Sequence, residues 1–342
     1  MTICFVESPP EKQTGGLNAA IGSLREALRA HGVNVVGEPE LASAQVVHFH
    51  GLWQPRHSSL SRELRARNVP FIISPHGMLE PWAWRHKRWK KLPYFLLRES
   101  AHLAGASCLL ATNEGEAQRI RRFFPHGNVV ALPLGLTGDT RPDYVHAREQ
   151  LGWKPNERVL LFLARIHPVK GLDLLLHALA EASQDSLTRE SSTRLVIVGG
   201  GDADYVAGLR SFCEKNAAAL PRVEWLGEIW GDARWSYFQG ADLFCLPSHT
   251  ENFGLAALEA CQVGTPVLTT TATPWAGELG NGRGFVSEPN SASVHCALEE
   301  FFAKPVIDGI QRKALSDWAW EKFHWRVLAP RYIELYRSLA RH

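Results

Sequence analysis

Hydrophobic positions along this chain fall into short runs separated by longer stretches with helical spacing. Residues 3–6, 46–50, 71–74, 107–111 and 128–132 are such runs in the first part, and 159–164, 194–198, 223–226, 242–246 and 267–270 follow later. Apolar runs of this length, bounded by Gly and Pro, read as buried strands of a parallel sheet. Between them, Ala19, Ala20, Leu24, Ala27 and Leu28 recur at helical spacing, as do Leu172, Leu175, Leu176 and Leu179. Strands alternating with amphipathic helices predict an α/β architecture. The stretch from Thr137 to Glu157 is polar and carries Pro142, Gly152 and Pro155. It reads as a linker between two domains, 1–140 and 155–320. The last 25 or so residues hold Trp318, Trp320, Trp325, Tyr332 and Tyr336 and read as amphipathic helices.

Composition narrows the function classes. A chain of 342 residues suffices for two cores. A net charge of +2 disfavours a dedicated nucleic-acid binder. Six cysteines with no C-x-x-C spacing, four of them in apolar runs, fit reduced buried thiols. The N-terminus has no basic region before its apolar residues, unlike a signal peptide, and no apolar run approaches the roughly 20 residues of a membrane span. These features predict a cytoplasmic protein.

Charge is unevenly spread: residues 1–150 carry the basic excess. Within 82–98, Arg85, Lys87, Arg88, Lys90 and Lys91 are interleaved with Trp82, Trp84, Trp89, Tyr94 and Phe95, with no acid among the cations. Cations beside tryptophan suit an anionic membrane interface. The same mix suits stacked bases of single-stranded nucleic acid, or a solvated helix whose tryptophans fill the core. The membrane reading is preferred here. Pro93 is expected to break or kink the helix.

The residues with candidate chemistry lie at the ends of the predicted strands. After 242–246, Pro247 stops the strand and Glu251 sits in a turn. Asn252-Phe253-Gly254 then leads into a helix carrying Leu255 and Glu259. Open α/β sheets bind ligands at such strand ends, and the helix N-terminus near Leu255 offers free N–H groups to a phosphate. After 159–164 come Arg165 and Lys170-Gly171, two cations that suit a diphosphate. Gly15-Gly16 opens the first helix, and His76-Gly77 follows the strand 71–74. Gly200 and Gly227-Glu228 follow two further strands. His48 and His50 share one strand face; their spacing could hold a metal, but no third ligand is evident, and a structural or lining role is preferred. Asp202-Ala-Asp204 matches D-x-D, a metal motif of another fold, and is read as coincidental.

Ser248, Glu251, Phe253-Gly254, Glu259-Ala260 and Gly264-Thr265-Pro266 together resemble the E-x7-E signature of the retaining glycosyltransferases of family 4. Arg165 to Gly171 resembles that family's Gly-Arg…Lys-Gly segment, with Ala164 in place of the usual Gly. The resemblance implies a GT-B fold: two Rossmann-like, doubly wound domains facing across a cleft, the first completed by a C-terminal helix at about 325–342. It implies transfer of a hexose from a UDP- or GDP-sugar to a hydroxyl with retained configuration. His76 would line the donor sugar, and Glu251 with the Asn252–Gly254 backbone would hold its hydroxyls. Glu259 would hold the ribose. Arg165, Lys170, the Gly15-Gly16 loop and the helix start at Leu255 would hold the diphosphate, and the Gly200 and Gly227-Glu228 loops the nucleoside. Two cations can replace a divalent ion, so no metal and no cofactor is expected. The segment 82–98 and the family's frequent role in bacterial surface polysaccharides suggest a lipid-linked sugar acceptor and a peripheral site at the inner face of the membrane. Alternatives are a nucleotide-sugar 2-epimerase of the same fold and a nucleotide-sugar-binding protein without catalysis.

Overall fold

The structure is a computed structural model that describes residues 1–7, 15–82, 88–136, 138–182 and 192–341. It contains two compact units, one of Met1–Gly138 with Lys322–His342 and one of Asp139–Glu321.

In the first unit, β1 (Thr2–Glu7), β2 (Asn34–Val36), β3 (Val46–His50), β4 (Phe71–Ser74), β5 (Cys108–Ala111) and β6 (Val129–Ala131) form one sheet in the order β2-β1-β3-β4-β5-β6. Every pairing is parallel. Successive side chains leave opposite faces of a strand, so β1 feeds two cores. Ile3 and Phe5 pack with Leu24, Leu28, Tyr332 and Tyr336. Cys4 and Val6 pack on the other face with Phe49, Ile73 and Ile120. The first face is covered by the helices Gly15–Ala30 and Trp325–Ala340, the second of which brings the chain's end back to this unit.

In the second unit, β7 (Glu157–Leu163), β8 (Ser192–Val198), β9 (Arg222–Gly227), β10 (Leu243–Leu246), β11 (Val267–Thr270) and β12 (Gly284–Ser287) form a sheet ordered β12-β11-β10-β7-β8-β9. Again all pairs are parallel. In each sheet the strand order reverses once, between β1 and β3 in the first and between β7 and β10 in the second. Connections leave in opposite directions there and open a crevice at the carboxyl ends.

The segment expected to be a linker is partly helical. Tyr144–Leu151 is a helix, and Asp139 onward belongs to the second unit. Buried ions hold it there. Asp242, at the start of β10, accepts from Tyr144 Oη at 2.8 Å, Arg148 Nη1 at 3.1 Å and the Val159 amide at 2.7 Å. Arg148 also donates to the Gly240 and Glu157 carbonyls. Polar composition suggested solvent; the partners that make those charges tolerable inside lie nearly a hundred residues away.

Pro93 lies in the helix Arg88–Tyr94, which runs directly into a π-helical turn, Phe95–Glu99. A proline lacks the N–H that would continue the ladder. Trp82, Trp89, Leu96 and Leu97 are exposed, Trp89 at 73% and Leu97 at 80%. These two tryptophans therefore do not fill the core. Trp84, Arg85 and Lys87 lie outside the described residues, as do the side chains of Arg88 and Lys90. Among the described residues no helix is long and apolar enough to cross a membrane.

Candidate functional site

The carboxyl ends of β7 and β10 flank the reversal in the second sheet, and two loops meet there. After β7 the chain makes a 3₁₀ turn, Pro168–Lys170, followed by Gly171 in the left-handed region. A Cβ at Gly171 would sit 2.0 Å from the Pro247 carbonyl oxygen, so no other residue fits this approach. The His249 amide donates to the Val169 carbonyl at 2.9 Å, a second tie between the loops. Their side chains converge: Lys170 Nζ forms an ion pair with Glu251 Oε1, and Ser248 Oγ donates to the same oxygen at 3.3 Å.

The loop after β10 is held from below and from the side. Thr270 Oγ1 donates to the Ser248 carbonyl at 2.6 Å. Trp275 Nε1 donates to the carbonyls of Phe253 and Gly254, and its ring meets Phe253 edge to face at 5.4 Å. Gly254 precedes the helix Leu255–Gln262 with φ +74°, and a Cβ there would press on Trp275 Nε1 at 3.1 Å. The N-cap residue, Gly254, has no side chain to cap this helix start, and no acid lies in its first turn. Its amides and dipole therefore favour an anion. Leu255 is the first residue of this helix, and Asn252 lies in the bend that precedes it.

Arg165 is exposed and has no hydrogen-bond or ion-pair partner among the described residues. Glu259 is buried in the helix and pairs with Arg234 Nη2 at 3.0 Å. Arg234 also donates to the Gly231 carbonyl at 2.6 Å and stacks on Trp235. No sequence signal marked Arg234, because it meets Glu259 only through the packing of two helices. Beside this site, Gly199–Gly201, Ile166, Arg210, Trp225 and Gly227 line an open pocket of about 400 Å³. The Glu228 carboxylate lies over Gly200, where a Cβ would meet Oε1 at 2.6 Å. Asp202, the first residue of the D-x-D match, caps the helix Ala203–Lys215 by accepting from the Tyr205 amide at 3.1 Å. Among the described residues no group of three or more His, Cys, Asp or Glu is placed to hold a metal ion.

In the first unit, His76 lies in the loop after β4 with φ +51°, an uncommon conformation for a side-chain-bearing residue. Its ring stacks on His50, with His50 Nδ1 and His76 Nε2 3.1 Å apart. Glu116 fixes the neighbouring backbone: Oε1 accepts from the Gly77 amide at 2.7 Å, and Oε2 accepts from the Thr112 amide at 2.8 Å. Asn113 caps the helix Glu114–Phe123 through the Glu116 amide. The Asn113…Glu116 spacing is a capping-box signal that could have drawn attention to Glu116. Burial holds His76 down at about 4 and His48 at about 3, so both rings are neutral near pH 7. Gly15 and Gly16 open the helix Gly15–Ala30. Nothing lies within 4 Å of where a Gly16 Cβ would be, so the described residues impose no packing need for glycine there.

Two parallel-sheet Rossmann-like units with these strand-end loops define the GT-B class. The family description "Glycosyl transferases group 1" matches residues 145–317, half of the chain, and "Glycosyl transferase 4-like domain" matches 9–135. The chain belongs to the glycosyl transferases group 1 family. It is 31% identical over 234 residues to a D-inositol 3-phosphate glycosyltransferase of Rhodococcus jostii, covering 66% of this chain and 51% of that one. The chain thus spans about half the length of that relative. Among solved structures it resembles a sucrose-phosphate synthase from Thermosynechococcus elongatus, with TM-score 0.78, 20% identity and coverage of 99% and 98%. It also resembles Anabaena HepE in complex with UDP and glucose, with TM-score 0.72, 19% identity and coverage of 99% and 100%.

Proposed function

We propose that this protein is a retaining hexosyltransferase that moves a sugar from a UDP- or GDP-sugar to an acceptor hydroxyl without a metal. One observation carries the reading: at the crevice of the second sheet, Lys170, Glu251 and an uncapped helix start come together in loops locked by Gly171 and Trp275. Breaking a glycosyl phosphate bond develops negative charge on the diphosphate and positive charge on the sugar. Lys170, Arg165 and the amides at Leu255 answer the first. Glu251, with the Asn252–Gly254 backbone, grips the sugar hydroxyls beside the second. Glu259, steadied by Arg234, holds the ribose. The Gly200 and Gly227-Glu228 loops border the nucleoside, and Gly15-Gly16 supplies backbone amides to the phosphates. On the first unit, His76 contacts the donor sugar, as the family resemblance implies.

No carboxylate is assigned as a nucleophile. In this reading the acceptor attacks on the leaving-group side, its proton passes to a departing phosphate oxygen, and the C–O bond to that phosphate breaks as the new glycosidic bond forms. The acceptor proposed is a lipid-linked sugar at an anionic membrane surface. The exposed Trp82, Trp89, Leu96 and Leu97 beside the basic run 85–91 support this. The name of the Rhodococcus relative favours a second reading, a small phosphorylated polyol acceptor. Thermal shift with UDP, GDP, ADP and their sugars tests the donor. Stabilisation by none of them would overturn the proposal. Transfer from the stabilising donor to extracted lipid-linked oligosaccharide or to inositol phosphate then separates the acceptors. Epimerisation of donor without any acceptor would instead identify an epimerase.

A further inference from the structure

Next to His76 the first unit holds two buried imidazoles, His48 and His50, that the reaction scheme above does not use. His48 and His50 leave the same face of β3, and β4 brings Ser74 and His76 alongside. His48 is pinned on both sides, by Tyr336 Oη at Nδ1 and Ser74 Oγ at Nε2, each 2.8 Å away. His50 is 2% exposed, packs 4.0 Å from the His48 ring and 4.7 Å from Phe5, and has no room to turn away. Its Nδ1 faces His76 Nε2. The cavity that these rings border measures about 10 Å³, space for one water at most, so no sugar enters between them.

One proton lies between His50 Nδ1 and His76 Nε2, because both rings are held neutral by burial. Two arrangements are open. If His76 donates, His50 must carry its own proton on Nε2, a buried atom with no hydrogen-bond partner among the described residues. If His50 donates, that atom is a bare lone pair instead. Buried N–H groups without acceptors are rarer than under-satisfied acceptors. We propose that His50 is a positioning residue: its Nδ1–H donates to His76 Nε2 and so turns a fixed Nδ1–H donor of His76 toward the bound sugar. The proposal rests on the reading that His76 contacts the donor. His76 Nδ1 has no hydrogen bond among the described residues, and the residue is partly exposed, so it is the nitrogen left for a ligand. Glu116, holding the Gly77 amide, keeps the loop from relaxing away from His50.

The tautomer is read directly. Two-bond ¹H–¹⁵N correlation on the ¹⁵N-histidine protein at pH 7 should show His76, identified by its loss in His76→Gln, protonated at Nδ1. In His50→Leu that pattern should become a mixture of tautomers. His50→Asn keeps a donor at the Nδ1 position and should keep the pattern. Calorimetry with UDP, UDP-glucose, GDP and GDP-mannose supplies the functional arm. His50→Leu should lower the advantage of the nucleotide sugar over its nucleoside diphosphate roughly tenfold, the worth of one hydrogen bond. The nucleoside diphosphate itself should bind as before, and His50→Asn should restore the advantage. A wild-type His76 protonated at Nε2, or a pattern unmoved in His50→Leu, overturns the proposal even if His50→Leu alters binding. An unchanged nucleotide-sugar advantage in His76→Gln would instead overturn the donor contact, with the tautomer result standing by itself.

Discussion

Replacing Glu251 by Gln should have opposite effects on the nucleoside diphosphate and on the nucleotide sugar. In the free protein Lys170 is already engaged by Glu251, with 20% and 9% of the two side chains exposed. A diphosphate that takes Lys170 must draw it from that carboxylate. An exposed pair is worth under about 1 kcal/mol, and breaking a fully buried one costs about 3–5 kcal/mol. This partly covered pair falls between them, at about 2 kcal/mol. Glu251→Gln keeps the shape, removes the competing charge and frees the ammonium. UDP or GDP should then bind roughly ten- to thirtyfold tighter, since each 1.4 kcal/mol is about tenfold. The gain from adding the sugar should vanish, and turnover with it. Lys170→Ala should weaken both ligands and lower stability by about 2 kcal/mol, because among the described residues it strands Glu251 with only Ser248 as partner. Titration calorimetry of the two variants with diphosphate and nucleotide sugar reads all four values. If Glu251→Gln leaves diphosphate affinity unchanged or weakens it, Lys170 does not serve the phosphate and the site assignment fails.

Three further outcomes are expected. Arg234→Ala should weaken UDP or GDP about tenfold while leaving the 2′-deoxy forms unchanged, since Arg234 steadies the carboxylate assigned to the ribose; equal losses for both would remove that role. Replacing Arg85, Lys87, Arg88, Lys90 and Lys91 by Gln should abolish sedimentation with anionic vesicles, at about 1 kcal/mol for each cation, and undiminished sedimentation would refute the membrane surface. Burial holds His48 and His102 at about 3 and His57 and His76 at about 4, against 6.5 unfolded. Their folded values are depressed, so the unfolded chain takes up protons first, and stability that is full above pH 6.5 falls as pH drops toward 4. The slope is about 1.2 kcal/mol per pH unit for each histidine near pH 5.5. Glu99, pushed up to about 7 by burial, keeps its proton when folded and offsets about one of them. Urea denaturation at pH 7, 6 and 5 should show the net decline, and a flat profile would mean that these rings are not neutral in the fold.

Much of the architecture was legible in the chain itself. Runs such as Val46–His50 and Phe71–Ser74 are buried on both faces, so continuous apolar sequence gave their boundaries directly. The short β2, Asn34–Val36, was not legible, because three residues carry too little pattern. Strand ends are punctuated by Gly and Pro for steric reasons that act within a few residues, which is why the loops carrying Arg165, Lys170, Glu251 and His76 stood out. What those side chains touch was decided elsewhere. Lys170 meets Glu251 because β7 and β10 are neighbours at the reversal of the sheet, and Arg234 meets Glu259 across two helices. Glu116 reaches Gly77 and His50 reaches His76 in the same way. Backbone preference and hydrophobic periodicity are local and survive in one dimension. Charge pairing and imidazole tautomers depend on contacts between residues 25 or more positions apart, which only the folded chain brings within hydrogen-bonding reach.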